Sequence, residues 1–296
     1  MKAMKTKIFE GGNIFKTADK QSLTQRIATK DVPATIDFLE KLTGLDFTKE
    51  LDPDDKKPVK WLGTTGRKED PDGTFDLNSS GDLDLSVDAR EISKEELIAK
   101  LADWCRTNGV PEEEIFNQGM KKTAGWIKDA GDNVHFRTPI SGSQTNGFVQ
   151  ADFMLTVNPK FQQGSMIGGK GQYKGEHRHI VLSSLARARG FKYSPKFGLL
   201  HGDTNEPVEN GDDWNVISKQ LLGQTASTKD VKSVDAIIAY IIKLPNYDEL
   251  VAGARETLGQ QGIELPIKEA FESYVPGSNA WMRRMINIVK WEHLNF

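Results

Sequence analysis

Asp82, Asp84 and Asp88 share one short stretch, SSGDLDLSVD, in which aliphatic residues alternate with the acids. In a β-strand, successive side chains point to opposite faces, so the carboxylates gather on one face and the aliphatic side chains on the other. Like charges on one strand face repel each other and destabilise the folded state. We therefore expect an opposite charge, such as a bound cation, to offset the repulsion.

The Asp82–Asp84 pair predicts a site for two divalent cations if a third carboxylate joins it from another strand. Mg²⁺ prefers oxygen ligands at about 2.1 Å, and two such ions about 4 Å apart can hold the oxygens of an in-line phosphoryl displacement. Asp152, in VQADFML, is the best third ligand because it is an isolated acid on the non-core face of another predicted strand. For the Asp82–Asp84 pair alone, the alternative is a solvated strand face or a protected sheet edge.

A small-residue turn, LGTTGR, precedes the aspartates. Backbone N–H groups at such a turn, with the Thr64 hydroxyl, can hold a triphosphate that Arg67 would neutralise. An ordinary turn is the alternative, and no P-loop is present because no GK[ST] sequence follows. The predicted nucleotide-binding residues of the turn are Gly63, Thr64 and Arg67.

Hydrophobic periodicity predicts the elements that position these residues. DVPATIDFLEKLTGL is typical of a helix that Asp31 caps and Gly44 ends, and ISKEELIAKLADWCRTNG of a helix with a Ser93–Glu96 capping box. NVHFRTPI and GFVQADFMLTV are predicted strands. On the second of these, one apolar face is formed by Val149, Ala151, Phe153, Leu155 and Val157.

The second half of the chain predicts helices around one hairpin. GEHRHIVLSSLARARG indicates a basic helix, FKYSPKFGLLHGDTNEPV a hairpin, and the sequence is helical from Asp230 onward. The order of elements predicts an α+β fold with a helical C-terminal region.

Composition restricts the classes of function. The chain has 296 residues, of which 37% are hydrophobic and 27% charged, as is typical of a globular protein. A formal net charge of −3 does not attract phosphate overall, so a nucleic-acid contact requires a local basic patch. Either such a patch or an ordinary solvated helix is formed by Arg178, Arg187, Arg189, Lys192 and Lys196.

Cys105 is the single cysteine of the chain, which excludes an internal disulfide and a cysteine zinc cluster. No stretch approaches 18 apolar residues, and no signal-peptide core follows the start. We expect a protein of a reducing compartment, the cytoplasm, without a membrane association.

In this order, the turn, DLDLSV and VQADFML resemble the nucleotidyltransferase superfamily that includes DNA polymerase β. Thr64 stands where that superfamily usually has a serine, and the Gly63–Asp82 gap is longer than usual. HRHIVLSSLARARGFKYSPKFGLL resembles the helix and hairpin of family X polymerases, and VISKQLLG resembles the short helix that follows them. The chain also resembles single proteins of tailed phages, which implies the host cytoplasm.

The resemblance implies a role for each motif. Asp82 and Asp84 would bind two Mg²⁺ or Mn²⁺ ions, and Asp152 would bind the catalytic ion and help to deprotonate an acceptor hydroxyl. Thr64 and Arg67, in the turn that Gly63 begins, would hold the phosphates of an NTP or dNTP. The positions that approach the sugar and the base in the family are Glu176 and His179.

The implied fold is a polymerase β-like palm, a mixed sheet with helices, with added N- and C-terminal helical segments. Its divisions would be an N-terminal helical segment (1–60), the palm (61–165), a small nucleotide-binding lobe (166–225) and a C-terminal helical region (226–296). The implied reaction transfers a nucleoside monophosphate to a hydroxyl, at a nucleic-acid 3′ end, and releases pyrophosphate.

Two alternatives remain open. The acceptor can be a protein or a small molecule, which the acidic net charge and the absence of a helix-hairpin-helix DNA-binding pattern favour. A binding module that keeps the aspartates without turnover is the other. His135 is interpreted as a structural residue rather than a base.

Overall fold

The computed structural model describes residues 14–51, 58–63, 65, 78–116, 125–166, 175–241 and 243–244, with the side chains of 175–177 left out. The chain divides into two compact units, Met1–Gln163 and Gly164–Phe296. The predicted helices after residue 245 lie outside the described residues, and the four-part division of the chain stays a prediction.

The first unit combines a mixed sheet with helices. Its elements are β1 (Ile27–Ala28), α1 (Val32–Thr43), β2 (Ser79–Ser80), β3 (Asp82–Asp88), α2 (Lys94–Thr107), α3 (Glu112–Ile115), β4 (Ile127–Ala130), β5 (Asn133–Pro139), β6 (Phe148–Thr156) and α4 (Pro159–Met166), the last of which contains the boundary between the units. β1 and β2 form a small antiparallel pair of their own.

The main sheet has the strand order β3-β6-β5-β4. β3 runs parallel to β6, whereas β6 with β5 and β5 with β4 are antiparallel. Parallel neighbours need a long crossover connection, and here the chain from β3 to β6 includes α2, α3 and the β4–β5 hairpin. The predicted α+β class is therefore confirmed for the described residues.

The two faces of the sheet differ in character. Leu83, Leu85, Phe136, Ala151 and Phe153 are fully buried and lie on one face, which belongs to the main hydrophobic core. Alternation along each strand then directs the aspartates to the opposite face, called the open face below. Val157, expected on the core face, lies beyond the end of β6 and is 53% exposed. The apolar pattern is therefore one residue longer than the strand.

The helices that cover the core face begin and end as their sequences predict, with one difference. Gly44 ends α1 in the left-handed conformation, at φ 76°, and the Ser93 side chain accepts a hydrogen bond from the Glu96 N–H at the start of α2. Asp31 stands at the N-cap of α1, but its side chain makes no capping hydrogen bond. Cys105 is buried in α2, and burial raises the pKa of its thiol to about 12.

The second unit contains α5 (Gly175–Ala188), the antiparallel hairpin of β7 (Phe191–Ser194) and β8 (Gly198–His201), α6 (Trp214–Leu222) and α7 (Val234–Ile241). The predicted hairpin and the short helix that follows it are thus confirmed. Among the described residues, none of the helices has both the length and the apolar character needed to cross a bilayer.

Candidate metal centre

Strand register brings the three predicted metal ligands together. In the parallel β3–β6 pair, Asp84 stands directly opposite Asp152, and Asp82 stands opposite Gln150. One carboxylate oxygen from each of Asp82, Asp84 and Asp152 lies within 4.8 Å of the other two. The three acids therefore form a single cluster on the open face, as the strand pattern predicted.

A segment before β3 closes one side of the cluster. The Leu62 N–H donates to the Asp84 carbonyl at 2.9 Å, and the Ser86 N–H donates to the Lys60 carbonyl at 2.8 Å. These bonds place residues 60–62 along the outer edge of β3 and bring Gly63 next to the Asp84 side chain. Gly63 has φ 51°, and an added Cβ would collide with Asp84 Oδ2. Only glycine fits this position without movement of the carboxylate.

The Thr65 hydroxyl contacts the backbone of Asp84. Its Oγ1 accepts a hydrogen bond of 3.0 Å from the Asp84 N–H, and its side chain is buried. Thr64 and Arg67, the predicted phosphate ligands, lie outside the described residues. Of the predicted turn LGTTGR, the structure therefore describes Leu62, Gly63 and Thr65, and the phosphate contacts of Thr64 and Arg67 stay predictions.

Two side chains hold Asp152 in place. His135 stands opposite Asp152 in the antiparallel β5–β6 register, and its Nδ1 lies 2.6 Å from Asp152 Oδ1. An ionised carboxylate only accepts hydrogen bonds, so in that state Nδ1 carries the proton. Gln150 Nε2 donates to Asp152 Oδ2 at 3.0 Å, and the Ile14 N–H donates to Gln150 Oε1 at 3.0 Å. Both oxygens of Asp152 are thereby oriented, which agrees with the structural role expected for His135.

The electrostatics of the cluster favour a bound cation. Burial raises the pKa of the Asp84 carboxyl well above its usual range, and the neighbouring charges of Asp82 and Asp152 raise it further. The site thus opposes the ionisation of the Asp84 carboxyl. A divalent cation would remove this opposition, because its attraction for each carboxylate replaces their mutual repulsion.

Asp88, the third acid of the sequence stretch, does not belong to the cluster. Its carboxylate accepts hydrogen bonds from the Arg90 side chain, with Nη2 2.5 Å from Oδ2 and Nε 2.8 Å from Oδ1. These bonds hold the pKa of Asp88 below its ordinary value. The charge of Asp88 is therefore compensated within the protein, and the candidate metal site consists of the other two acids of β3 with Asp152.

The chemistry of the ligands fits a hard divalent cation. All three are carboxylates, which Mg²⁺ and Mn²⁺ accept readily, and the cluster includes neither a histidine nitrogen nor a thiolate. His135 contacts Asp152 from the neighbouring strand β5 and does not belong to the cluster, as is common for groups that orient a metal ligand.

The other predicted site residues belong to the second unit. The side chain of Glu176 lies outside the described residues. His179 lies on α5, where its Nε2 is 3.5 Å from Ser183 Oγ and its ring packs against that of Tyr193. Their approach to a nucleotide stays a prediction.

Arg178, one of the five residues of the predicted basic patch, is buried. Its guanidinium donates to the carbonyls of Gly164 and Lys232 and lies over the ring of Trp214. Burial lowers its pKa. Arg178 therefore has a packing role, and its assignment to an exposed phosphate-binding patch is wrong. Arg187 and Arg189, by contrast, are exposed.

Sequence reasoning missed Thr65 and Gln150, and it did not connect His135 to Asp152. The sequence did contain a signal for Gln150 and His135, because QAD in β6 and HFR in β5 each place a polar side chain on the open face. Comparison of the chain with protein-family models, with curated proteins and with solved structures finds no match. The likeness to the polymerase β superfamily thus depends on the motifs alone.

Proposed function

We propose that this protein is a metal-dependent nucleotidyltransferase that transfers a nucleoside monophosphate from an NTP or dNTP to a hydroxyl, with Mg²⁺ or Mn²⁺ as the cofactor. The observation that carries the proposal is the cluster of Asp82, Asp84 and Asp152, whose carboxylate oxygens lie within 4.8 Å of one another. Two adjacent parallel strands hold the acids, so their separation is fixed by backbone pairing instead of by a flexible loop.

In the proposed reaction, an oxygen of the acceptor forms a bond to the α-phosphorus while the bond to the bridging oxygen breaks and pyrophosphate leaves. Asp152 accepts the proton of the acceptor hydroxyl or directs its removal. His135 and Gln150 keep the Asp152 carboxylate in one orientation, which lowers the cost of aligning it with the acceptor. The bound divalent ions would neutralise charge on the phosphates and favour ionisation of the hydroxyl.

The nucleotide would enter from the side of β3. Gly63 brings the turn next to the Asp84 carboxylate, and the sequence assigns the phosphate contacts that follow it to Thr64 and Arg67. A backbone turn this close to the acids allows a triphosphate to contact both the turn and the metal site.

A nucleic-acid 3′ end is the proposed acceptor. A protein or small-molecule acceptor is the second candidate, and the net charge of −3 and the burial of Arg178 favour it. With a labelled nucleotide as substrate, the two candidates differ in the molecule that receives the label.

The test supplies labelled NTPs and dNTPs with Mg²⁺ or Mn²⁺ and, in separate reactions, primer, gapped duplex, tRNA or the protein alone. Extension of one nucleic acid by wild type, and its loss in Asp84→Asn, supports the proposal. Label in a protein band indicates protein modification. No transfer to any acceptor, together with no metal binding, would indicate a binding module without turnover.

A further inference from the structure

The open face of the sheet carries basic residues on the two strands that lie beyond Asp152. Strand register places His135 between Asp152 and Lys128, and places Arg137 opposite Gln150. Charge therefore changes sign across the sheet: the acids lie on β3 and β6, and the basic side chains on β5 and β4.

The Arg137 guanidinium lies between two aromatic rings. Its central carbon is 4.6 Å from the ring centre of Trp126 and 4.1 Å from that of Phe148, and the two rings are nearly perpendicular. The π faces attract the cation but offer no oxygen acceptor for its N–H groups. The rings therefore fix the position of the guanidinium and leave its hydrogen bonds available.

Among the residues that the structure describes, Arg137 has no side-chain hydrogen bond and no ion pair, and its Nε is buried without a partner. Burial lowers its pKa, and the charge of Glu114 partly opposes this effect without contact. A buried donor without an acceptor is costly, so its retention calls for an explanation. An anionic ligand that accepts hydrogen bonds from the Nη groups of this guanidinium would supply partners for the side chain.

Lys128 adds a second uncompensated cation on β4. The neighbouring Asp129 forms its ion pair with Lys94, at 2.6 Å. Within the described part of the chain, the Lys128 ammonium has neither a carboxylate nor a hydrogen-bond partner, and it stands one strand from His135.

We propose that Arg137 and Lys128 bind the phosphodiester backbone of a single-stranded nucleic-acid acceptor, an inference that rests on the proposed function. Arg137 is a diagonal neighbour of Asp152 across β5 and β6, so their Cα atoms are about 7–8 Å apart. One sugar separates a terminal 3′-hydroxyl from the phosphate of the same nucleotide. A hydroxyl at Asp152 can therefore place that phosphate at Arg137.

The direction of approach also distinguishes the acceptor from the nucleotide. Gly63 and the predicted phosphate turn lie at the outer edge of β3, whereas Arg137 lies on the other side of the acids, past β6. The nucleotide and the acceptor would thus approach the metal site from opposite sides, as an in-line displacement requires. Arg137 and Lys128, on neighbouring strands, can bind phosphates of one nucleic-acid strand.

The experiment measures binding of a short fluorescent oligothymidylate and a short fluorescent oligouridylate by anisotropy, in chelator and at several salt concentrations. We expect Arg137→Gln to weaken binding of one of them about tenfold or more and to reduce the salt slope by about 0.7. Lys128→Gln, at a partly exposed position, should have the same sign and a smaller effect. Lys41→Gln removes one positive charge from an exposed site on α1, a helix of the core side, and should not change binding.

Because Arg137 packs against two rings, its variant is first compared with wild type in a thermal melt. If it does not fold, Lys128→Gln and Arg137→Lys carry the test, and a Lys128→Gln variant that binds both oligonucleotides like wild type overturns the proposal. Loss of binding in Lys41→Gln instead, or a loss in Arg137→Gln that affects inorganic triphosphate and not the oligonucleotides, also overturns it.

The design separates this inference from the proposed function. Oligonucleotide binding that depends on Arg137, without nucleotide transfer, would retain the acceptor surface and reject the enzyme. Transfer to a nucleic acid that Arg137→Gln and Lys128→Gln leave unchanged, in both rate and acceptor KM, would retain the enzyme and reject the surface.

Discussion

The two ends of β3 hold the same residue type in opposite electrostatic situations. At one end, Asp84 has its pKa raised by burial and by the charges of Asp82 and Asp152. At the other, Asp88 has its pKa lowered by hydrogen bonds from Arg90. Asp84 and Asp88 lie four positions apart on one strand, yet the Asp88 carboxylate has a counter-charge and the Asp84 carboxylate, among the described residues, has none. Aspartates in a row do not by themselves mark a metal site, whereas a cluster in which burial and neighbouring charges oppose the ionisation of one member indicates one.

Nucleotide transfer should distinguish Asp84 from Asp88 most strongly. We expect Asp84→Asn to lower the transfer rate about 10³-fold, because one ligand of the charge-stabilising group is lost. Asp88→Asn, the same change on the same strand, should leave the rate within about twofold of wild type. Single-turnover rates with a labelled nucleotide measure both. An equal loss in the two variants would contradict a special role for the cluster.

Metal binding should separate the two ends in a stability measurement. At a free Mn²⁺ concentration about 100 times its Kd, binding stabilises the folded state by about 2.7 kcal/mol. We expect Mn²⁺ to raise the melting temperature of wild type and of Asp88→Asn, and to have little effect on Asp84→Asn. A metal-induced rise in Asp84→Asn as large as in wild type would place the ion elsewhere.

His135 and Arg90 support their aspartates in different ways. Arg90 compensates the charge of Asp88, whereas His135 orients the carboxylate of Asp152. We expect His135→Ala to lower kcat about tenfold with the nucleotide KM nearly unchanged, since partners that orient metal ligands contribute at this level. His135→Asn keeps an N–H near the position of Nδ1 and should recover part of the loss. Recovery that is absent, or a change in KM alone, would argue against an orienting role.

The pH dependence of stability in chelator should show the smallest effects, with opposite signs. The raised pKa of folded Asp84 means that the folded state binds the proton more tightly than the unfolded state. The free energy of unfolding therefore falls as pH rises from the ordinary carboxyl pKa through the raised value. Over that pH range, the stability of Asp84→Asn should increase relative to that of wild type. Urea unfolding at a series of pH values measures this gain.

For Asp88 the sign reverses. Its folded-state pKa is lowered, so its contribution is present above the ordinary carboxyl pKa and is lost as pH falls through the lowered value. Asp88→Asn should be slightly less stable than wild type at neutral pH, and the difference should shrink in acid. The effect is small because Arg90 is largely exposed. A variant that is more stable than wild type at neutral pH would contradict this assignment.

Local sequence patterns were sufficient for the longer elements, among them α1, α2, β3, β5 and β6, and for the three acids, but they did not predict the shorter α3, β4 and α4. Period-two alternation in DLDLSV and VQADFML fixes which side chains leave the core, so Asp82, Asp84 and Asp152 could be assigned to one face without coordinates. Gly44 and Ser93 act where their residue types predict, because a left-handed end and an N-cap are determined within a few residues.

Contacts that depend on register could not be predicted in the same way. The pairings of Asp152 with His135 and of Arg137 with Gln150 join strands that are distant in sequence, and a shift of one residue would change every partner. The burial of Arg178 depends on Trp214 and on carbonyls from two other segments. A basic residue on a helix carries no local mark that distinguishes such packing from exposure.

The most direct test of the proposed metal centre is to locate the bound ion. Crystals grown with Mn²⁺ would be examined for anomalous scattering, with crystals of Asp84→Asn as the control. We expect a peak within coordination distance of the carboxylates of Asp82, Asp84 and Asp152 in wild type, and its loss in the variant. Manganese bound at other sites, with no peak among these three carboxylates, would contradict it.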